Sequence, residues 1–243
     1  MAMPPIDSFI FIPAYNVEST LAATLERIRP AVWKRSRVLV IDDGSTDGTQ
    51  KVFEEFRERT HEKNILRYIR FEKNQGYGAV VKKGIAEGIA SGAKFVACLH
   101  GDGQYPGEQL GEFFAAMAIH DLALLQGSRM AIEGEAKDGG MPLHKRIGGA
   151  ILTAIENLAF RQPLTDRHSG FLVYSTAFLK TLDLEKLSGS FDIDLEIIAK
   201  ADAAGFPMAE LPIPTHYGNE KSLLNVVTYG LRVLLQVVRR FFA

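Results

Sequence analysis

The first half of the chain alternates short apolar runs with amphipathic stretches. Phe9-Ile10-Phe11-Ile12, Val38-Leu39-Val40-Ile41, Leu66 to Phe71, Phe95-Val96-Ala97-Cys98-Leu99 and Leu122 to Gln126 read as strands, being short apolar runs bounded by turn residues. Between them, Glu18 to Arg29, Thr49 to Arg59, Gly78 to Ser91 and a segment through Phe113, Phe114 and Met117 read as helices; Val52, Phe53 and Phe56 share one face. A helix from Ile147 to Phe160, a strand over Phe171 to Tyr174, a helix from Asp192 to Ala204 and a last strand from Met208 to Ile213 follow. Ala131 to Arg146 has no apolar period and holds Gly134, Gly139, Gly140 and Pro142, so it reads as a long mobile loop, of a kind that in compact domains is usually functional. Alternation of this kind predicts one α/β domain, residues 1–219, with a mostly parallel central sheet and helices on both faces. Ligands of such sheets sit beyond the carboxyl ends of the strands, so the polar residues there are the first candidates for chemistry.

Composition narrows the classes. Of 243 residues, 47% are hydrophobic and 23% charged, as in ordinary soluble proteins. A net charge of −1 lacks the basic excess of a nucleic-acid binder. Cys98 is the one cysteine, which rules out an internal disulfide and suits a reducing cytoplasm. Neither a signal peptide nor a run of roughly 18 uncharged apolar residues is expected. Residues 220–243 differ in character. From Leu223 to Phe242, Asn225, Thr228, Arg232, Gln236, Arg239 and Arg240 recur at helical spacing among Leu, Val and Phe. That predicts an amphipathic helix with a basic polar face, fit for a membrane interface or for docking on the domain's own core or on a second subunit of a homo-oligomer. Arg232, in its middle, speaks against a spanning helix.

The strand ends carry Pro13-Ala14-Tyr15-Asn16, Asp42-Asp43-Gly44-Ser45-Thr46-Asp47-Gly48, His100-Gly101-Asp102-Gly103-Gln104 and Gly127-Ser128-Arg129. Carboxylates there can bind ribose or base and can hold a hard divalent cation, while Arg129 can meet a diphosphate with charge-assisted hydrogen bonds. Each has a plainer reading: Asp42 to Ser45 also makes a good turn and cap, and a lone histidine is more often structural. Gathering at consecutive strand ends favours the functional reading. Other chemistries are disfavoured. The first β–α turn, Pro13 to Glu18, has no glycine for a dinucleotide pyrophosphate; no P-loop occurs; and His168-Ser169-Gly170 lacks the nucleophile elbow of a hydrolase.

Taken in order, Ile12 to Asn16, Val40 to Thr49, Asn74-Gln75-Gly76-Tyr77-Gly78, Asp102 to Pro106, Gly127 to Arg129, Asp166 with Ser169-Gly170-Phe171, and Glu210 to Pro214 resemble the family 2 inverting glycosyltransferases of the GT-A fold. The resemblance is to the branch of dolichol-phosphate mannose synthase and bacterial polyprenyl-phosphate hexosyltransferases. It implies that Pro13, Ala14, Tyr15 and Glu18 frame the nucleotide, with Asp42 or Asp43 on base or ribose and Gly76 and Gly101 beside the donor. It implies further that Asp102 binds the metal, Mg²⁺ or Mn²⁺, that Gln104 faces the sugar diphosphate, and that Arg129, Arg146 and Lys221 bind phosphates of donor or acceptor. The loop before Arg146 would order on binding. Two departures stand out: His100 replaces the first acid of the D-x-D pair, leaving it to metal or donor, and Val17 stands where a glutamate is usual, with Glu18 one step on.

The implied reaction is an in-line transfer of a hexose from a nucleotide sugar, GDP-mannose or UDP-glucose in type, with inversion. A polyprenyl or dolichyl phosphate acceptor is a dianion near neutral pH and needs no base; a saccharide hydroxyl needs one, with Asp166 and Asp194 as candidates. The enzyme would lie in the cytoplasm, peripheral at the inner face of the membrane. A catalytically inactive nucleotide-sugar-binding module is the alternative; it would have no activity for a chelator to remove.

Overall fold

The computed structural model describes residues 7–160, 162–214 and 226–241. Its strands are β1 (Ser8–Ala14), β2 (Ser36–Asp42), β3 (Leu66–Arg70), β4 (Phe95–Cys98), β5 (Leu124–Ser128), β6 (Leu172–Ser175) and β7 (Met208–Pro212). Its helices are α1 (Leu21–Glu26), α2 (Pro30–Trp33), α3 (Thr49–Arg59), α4 (Tyr77–Ala90), α5 (Leu110–Ile119), α6 (Glu135–Asp138), α7 (Leu143–Ala159), α8 (Thr176–Leu179), α9 (Ile193–Ala203) and α10 (Val226–Phe241).

One sheet runs β3-β2-β1-β4-β6-β5-β7. It is mostly parallel, but β6 pairs antiparallel with both β4 and β5. Side chains of a strand point alternately to its two faces, and the apolar runs use both. Ile10, Ile12, Val38, Val40 and Phe171 join one core with Leu21, Leu25, Phe53 and Phe113; Phe9, Phe11, Leu39, Ile41 and Leu172 join the other with Val81, Ile85 and Ile197. Helix α4 lies very close to the sheet, since a Cβ on Gly84 would come within 2.3 Å of the Phe11 ring.

Three expectations need correction. The helix expected over Glu18 to Arg29 is shorter and is followed by α2, because Pro30 begins a new helix and holds Arg29 extended (φ −64°, ψ 146°). The expected loop Ala131 to Arg146 contains α6 and the first turn of α7, which starts behind Pro142 rather than at Ile147. That turn is polar apart from Leu143, so an apolar period could not reveal it. Finally, the fifth strand lies at Leu124–Ser128, two residues beyond the expected run.

Helix α10 packs on α7 and α9. Leu143, Ile147, Ile151 and Leu158 of α7 and Leu231, Leu234, Leu235 and Val238 of α10 are exposed. The spacing within each helix puts them along one face. No helix among the described residues is long and apolar enough to cross a membrane.

Candidate active site

The tips of β1 and β2 are stitched to each other. The Asn16 amide donates to Ser45 Oγ (2.9 Å), and Asn16 Oδ1 accepts from the Thr46 amide (2.8 Å). Glu18 Oε2 accepts from the Gly48 amide at 2.9 Å, at the start of α3, so its carboxylate already serves the adjoining loop. Asp42 is fully buried and accepts from the Ser45 amide (2.8 Å), the Ser45 hydroxyl and the Tyr68 phenol. Asp43 Oδ1 and Oδ2 accept from the amides of Gln75 (2.7 Å) and Gly76 (2.9 Å). Asp43 therefore fixes the loop that Gly76 occupies, and Asp42 fixes the turn at Ser45, which in turn holds Asn16 beside Tyr15.

The β4 tip docks against the same place. The Gly101 amide donates to Pro13 O at 3.0 Å. Its carbonyl accepts from the Thr20 hydroxyl (2.8 Å), and Arg27 Nη1 donates to Gly103 O (2.9 Å) while its fork grips Glu108. Residues 101–103 are thereby held from below by the segment that carries α1. Asp102 is partly exposed, with Oδ1 accepting from the Gln104 amide at 3.0 Å. No group of three His, Cys, Asp or Glu among the described residues could hold a metal unaided. A single carboxylate does fit a hard divalent cation whose other ligands are diphosphate oxygens and water.

His100 is a strut. Its ring meets Tyr105 edge-on (4.9 Å between centroids), and a Cβ on Gly170 would come 2.8 Å from Cε1 and Nε2, so only glycine fits there. His100 Nε2 lies 3.0 Å from Tyr77 Oη, and that hydroxyl donates to Asp194 Oδ2 at 2.7 Å. The phenol has one proton to give, so Nε2–H donates to Oη. Burial pushes the His100 pKa down, with Asp102 opposing and Arg129 assisting. Burial also pushes Asp194 up to about 7, against the Tyr77 hydrogen bond, and its Oδ1 is buried without a hydrogen-bond partner. Tyr77 in turn stacks on Phe191 (5.3 Å, 11°) at the rim.

Arg129, at the tip of β5, is clasped by Asp166: Nε–Oδ2 2.7 Å, Nη2–Oδ1 3.0 Å, and the Arg129 amide to Oδ2 at 3.1 Å. Burial works to raise the Asp166 pKa, but the Arg129 charge and hydrogen bonds outweigh it and hold the carboxyl below its ordinary range. Both oxygens of this carboxylate are thus committed to Arg129. Arg146 sits on the first turn of α7, partly buried, and Lys221 lies outside the described residues. The strand tips thus bring together Pro13, Gly101, Asp102, His100, Arg129, Asp166 and Asp194.

The sequence and fold have known relatives. Residues 9–183 match the model of glycosyl transferase family 2. The chain belongs to that family. It is 25% identical, over 86% of its length and 85% of the relative's, to the UDP-N-acetylglucosamine–dolichyl-phosphate N-acetylglucosaminyltransferase of Methanococcus voltae. It is 27% identical, over 83% of its length and 80% of the relative's, to the undecaprenyl-phosphate mannosyltransferase of Micrococcus luteus. Among solved structures, glucosyl-3-phosphoglycerate synthase of Mycobacterium tuberculosis, in complex with Mn²⁺, UDP and phosphoglyceric acid, superposes with a TM-score of 0.70 at 15% identity, covering 96% of this chain and 78% of that one. The fold is GT-A and the protein is a glycosyltransferase.

Several residues of this glycosyltransferase were not assigned from sequence. Tyr77 was visible as an aromatic between two glycines, yet its partner Asp194 is 117 residues away. Glu156, fully buried on α7, and His168 gave no sequence signal at all. Arg167 is 1% exposed, with Nε on Asn157 Oδ1 (2.9 Å) and its guanidinium over the Phe160 ring.

Proposed function

We propose that this glycosyltransferase moves a hexose or N-acetylhexosamine, with inversion, from a nucleotide sugar to a polyprenyl or dolichyl phosphate at a membrane surface. The observation that carries the reading is the joint outward apolar exposure of α7 and α10, two helices whose inner sides reach the Arg129–Asp166 pair through His168. An isoprenoid phosphate has an anionic head and an apolar tail; Arg129 suits the head, and the outward faces of α7 and α10 suit the tail and the membrane around it. The relatives named for dolichyl-phosphate and undecaprenyl-phosphate acceptors support it.

In this mechanism Pro13, Ala14, Tyr15 and the Asp43-braced loop at Gly76 frame the nucleotide. Asp102, with the donor's diphosphate, would hold Mg²⁺ or Mn²⁺, and the metal would supply charge stabilisation for the leaving nucleoside diphosphate. Gln104 faces the sugar diphosphate. Arg129, preset by Asp166, fixes the acceptor phosphate for in-line approach, with Arg146 approaching from α7. A phosphate dianion attacks without a base. The protein sits peripherally at the inner face of the membrane, with α10 as the lipid-facing element beyond the catalytic domain, residues 1–219.

A second reading has its own support. Asp194, raised to about 7 and aligned by Tyr77, is suited to take a proton from a saccharide hydroxyl. The test is turnover with UDP-glucose, UDP-N-acetylglucosamine or GDP-mannose, Mn²⁺, and either undecaprenyl phosphate in vesicles or soluble saccharides. Nucleoside diphosphate release that depends on the lipid phosphate and is abolished by chelator is expected. Release with saccharides alone would overturn the phosphate reading.

A further inference from the structure

Behind Arg129, polar side chains from three segments meet at a place the transfer chemistry does not use. Glu156 points inward from α7 and is 0% exposed. His168, in the loop before β6, places Nε2 3.2 Å from Glu156 Oε2 and Nδ1 2.9 Å from Tyr229 Oη of α10. The Tyr229 ring meets the imidazole edge-on at 5.6 Å and 77°. The His168 amide donates to Asp166 Oδ1 at 3.2 Å, the same oxygen that receives Arg129 Nη2.

We propose that Glu156, His168 and Tyr229 are positioning residues that set the Arg129–Asp166 pair according to how α7 and α10 are seated. The proposal rests on the acceptor reading above. Each helix carries an exposed apolar face and sends one polar group to a single imidazole. That imidazole's own backbone holds the carboxylate that aims Arg129. A shift of either helix therefore reaches the guanidinium through one residue.

The chemistry of the junction supports this role over plain packing. A buried carboxylate without a hydrogen bond is a poor stabiliser compared with apolar side chains of the same volume. The Glu156–His168 contact is close but badly aligned: both Glu156 oxygens and His168 Nε2 lack a hydrogen bond. A small movement of α7 against the loop aligns them, so the junction is unfinished in this arrangement and gains by reseating. Arg167 is buried in the same region; burial pushes its pKa down, opposed by the nearby Glu156, Asp202 and Glu210. Tyr229 stays a neutral phenol, because burial and the carboxylates of Glu156, Asp194 and Asp166 hold its proton in place. It can therefore donate to a neutral His168 ring or accept from a charged one.

The experiment uses the full chain with Tyr229→Phe, which removes one oxygen, and Glu156→Gln, which keeps the shape. Each is compared with Arg129→Lys and with the Tyr229→Phe/Arg129→Lys double variant. UDP and GDP binding with Mn²⁺, read by calorimetry, is expected to stay within about two-fold of wild type. Acceptor-dependent kcat/KM with undecaprenyl phosphate vesicles is expected to fall about ten-fold in each single variant, as misplacement by a fraction of an ångström does. The double variant is expected to be no slower than Arg129→Lys alone. Without any substrate, the Arg129 Nε–H resonance is expected to move in Tyr229→Phe. Wild-type kinetics in both Tyr229→Phe and Glu156→Gln, multiplicative effects in the double variant, or an unmoved Nε–H resonance would overturn the relay. Failure of the acceptor reading is seen separately, in wild-type protein that ignores the lipid phosphate; the resonance still decides the relay.

Discussion

The two sides of the strand-tip cleft are finished to different degrees. On the β1–β2 side, polar groups meet partners: buried Asp42 with Ser45 and Tyr68, buried Asp43 with two backbone amides, and exposed Asn16 with Ser45 and Thr46. On the β5–β6 side, Asp194 Oδ1, Tyr174 Oη, His168 Nε2, Arg167 Nη1 and both Glu156 oxygens are buried without a hydrogen bond, and two helices turn apolar residues outward. Native interiors leave few such groups, and those that remain call for an explanation. The contrast fits a preorganised β1–β2 half and a β5–β6 half whose polar contacts are open to rearrangement as α7 and α10 reseat.

The largest test falls on the donor side. Asp102→Asn is expected to lower kcat about 10²–10³-fold, the scale of removing one electrostatic contact to the developing charge, with an unchanged melting temperature; near-wild-type turnover would remove Asp102 from the metal site. On the other side, Asp166→Asn takes a charge from a pair whose side chains are only 14% and 4% exposed. Breaking such a pair costs about 3 kcal/mol in urea unfolding at neutral pH. Because the folded pKa of Asp166 is depressed, its contribution is present above the ordinary carboxylate pKa and lost as pH falls through the folded value. The variant should lose that acid sensitivity, and an unchanged acid limb would refute the pairing.

Asp194 has the opposite sign. Its folded pKa of about 7 lies above the ordinary 3.8, so the folded chain keeps a proton that the unfolded chain has released. That contribution is complete in acid and disappears as pH rises through 7. Wild type should therefore lose more stability than Asp194→Asn between pH 5 and 8, and parallel stability curves would contradict the assignment. The smallest expected effect concerns the exposed faces. Ile151→Ser with Leu234→Ser should weaken vesicle binding about ten-fold, from the apolar area withdrawn from lipid, without changing nucleotide affinity. Unaltered flotation with vesicles would point instead to a second copy of the chain on that face.

Much of the fold was legible because apolar runs such as Val38 to Ile41 and helical faces such as Val52, Phe53 and Phe56 carry their period in the sequence. Strand direction does not, which is why β6, antiparallel on both sides, could not be read. Proline decided two boundaries against the apolar pattern, at Pro30 and Pro142. The position of Asp102 and Arg129 just after strands was legible from the sequence. Asp166 was legible as a candidate base, but only coordinates show its carboxylate turned onto Arg129. Contacts such as Tyr77 with Asp194, or Glu156 with His168, join residues whose local sequence carries no trace of the partner. They arise from packing across the sheet's far half.

The most direct measurement of the shared cleft is a crystal soaked with Mn²⁺ and UDP, read by anomalous scattering. The expected result is one manganese peak between Asp102 and the diphosphate, with the nucleotide along the Pro13–Tyr15 and Gly76 loops and the Arg129 guanidinium facing the same opening. Manganese away from Asp102, or a nucleotide seated elsewhere while these tips stay empty, would contradict it.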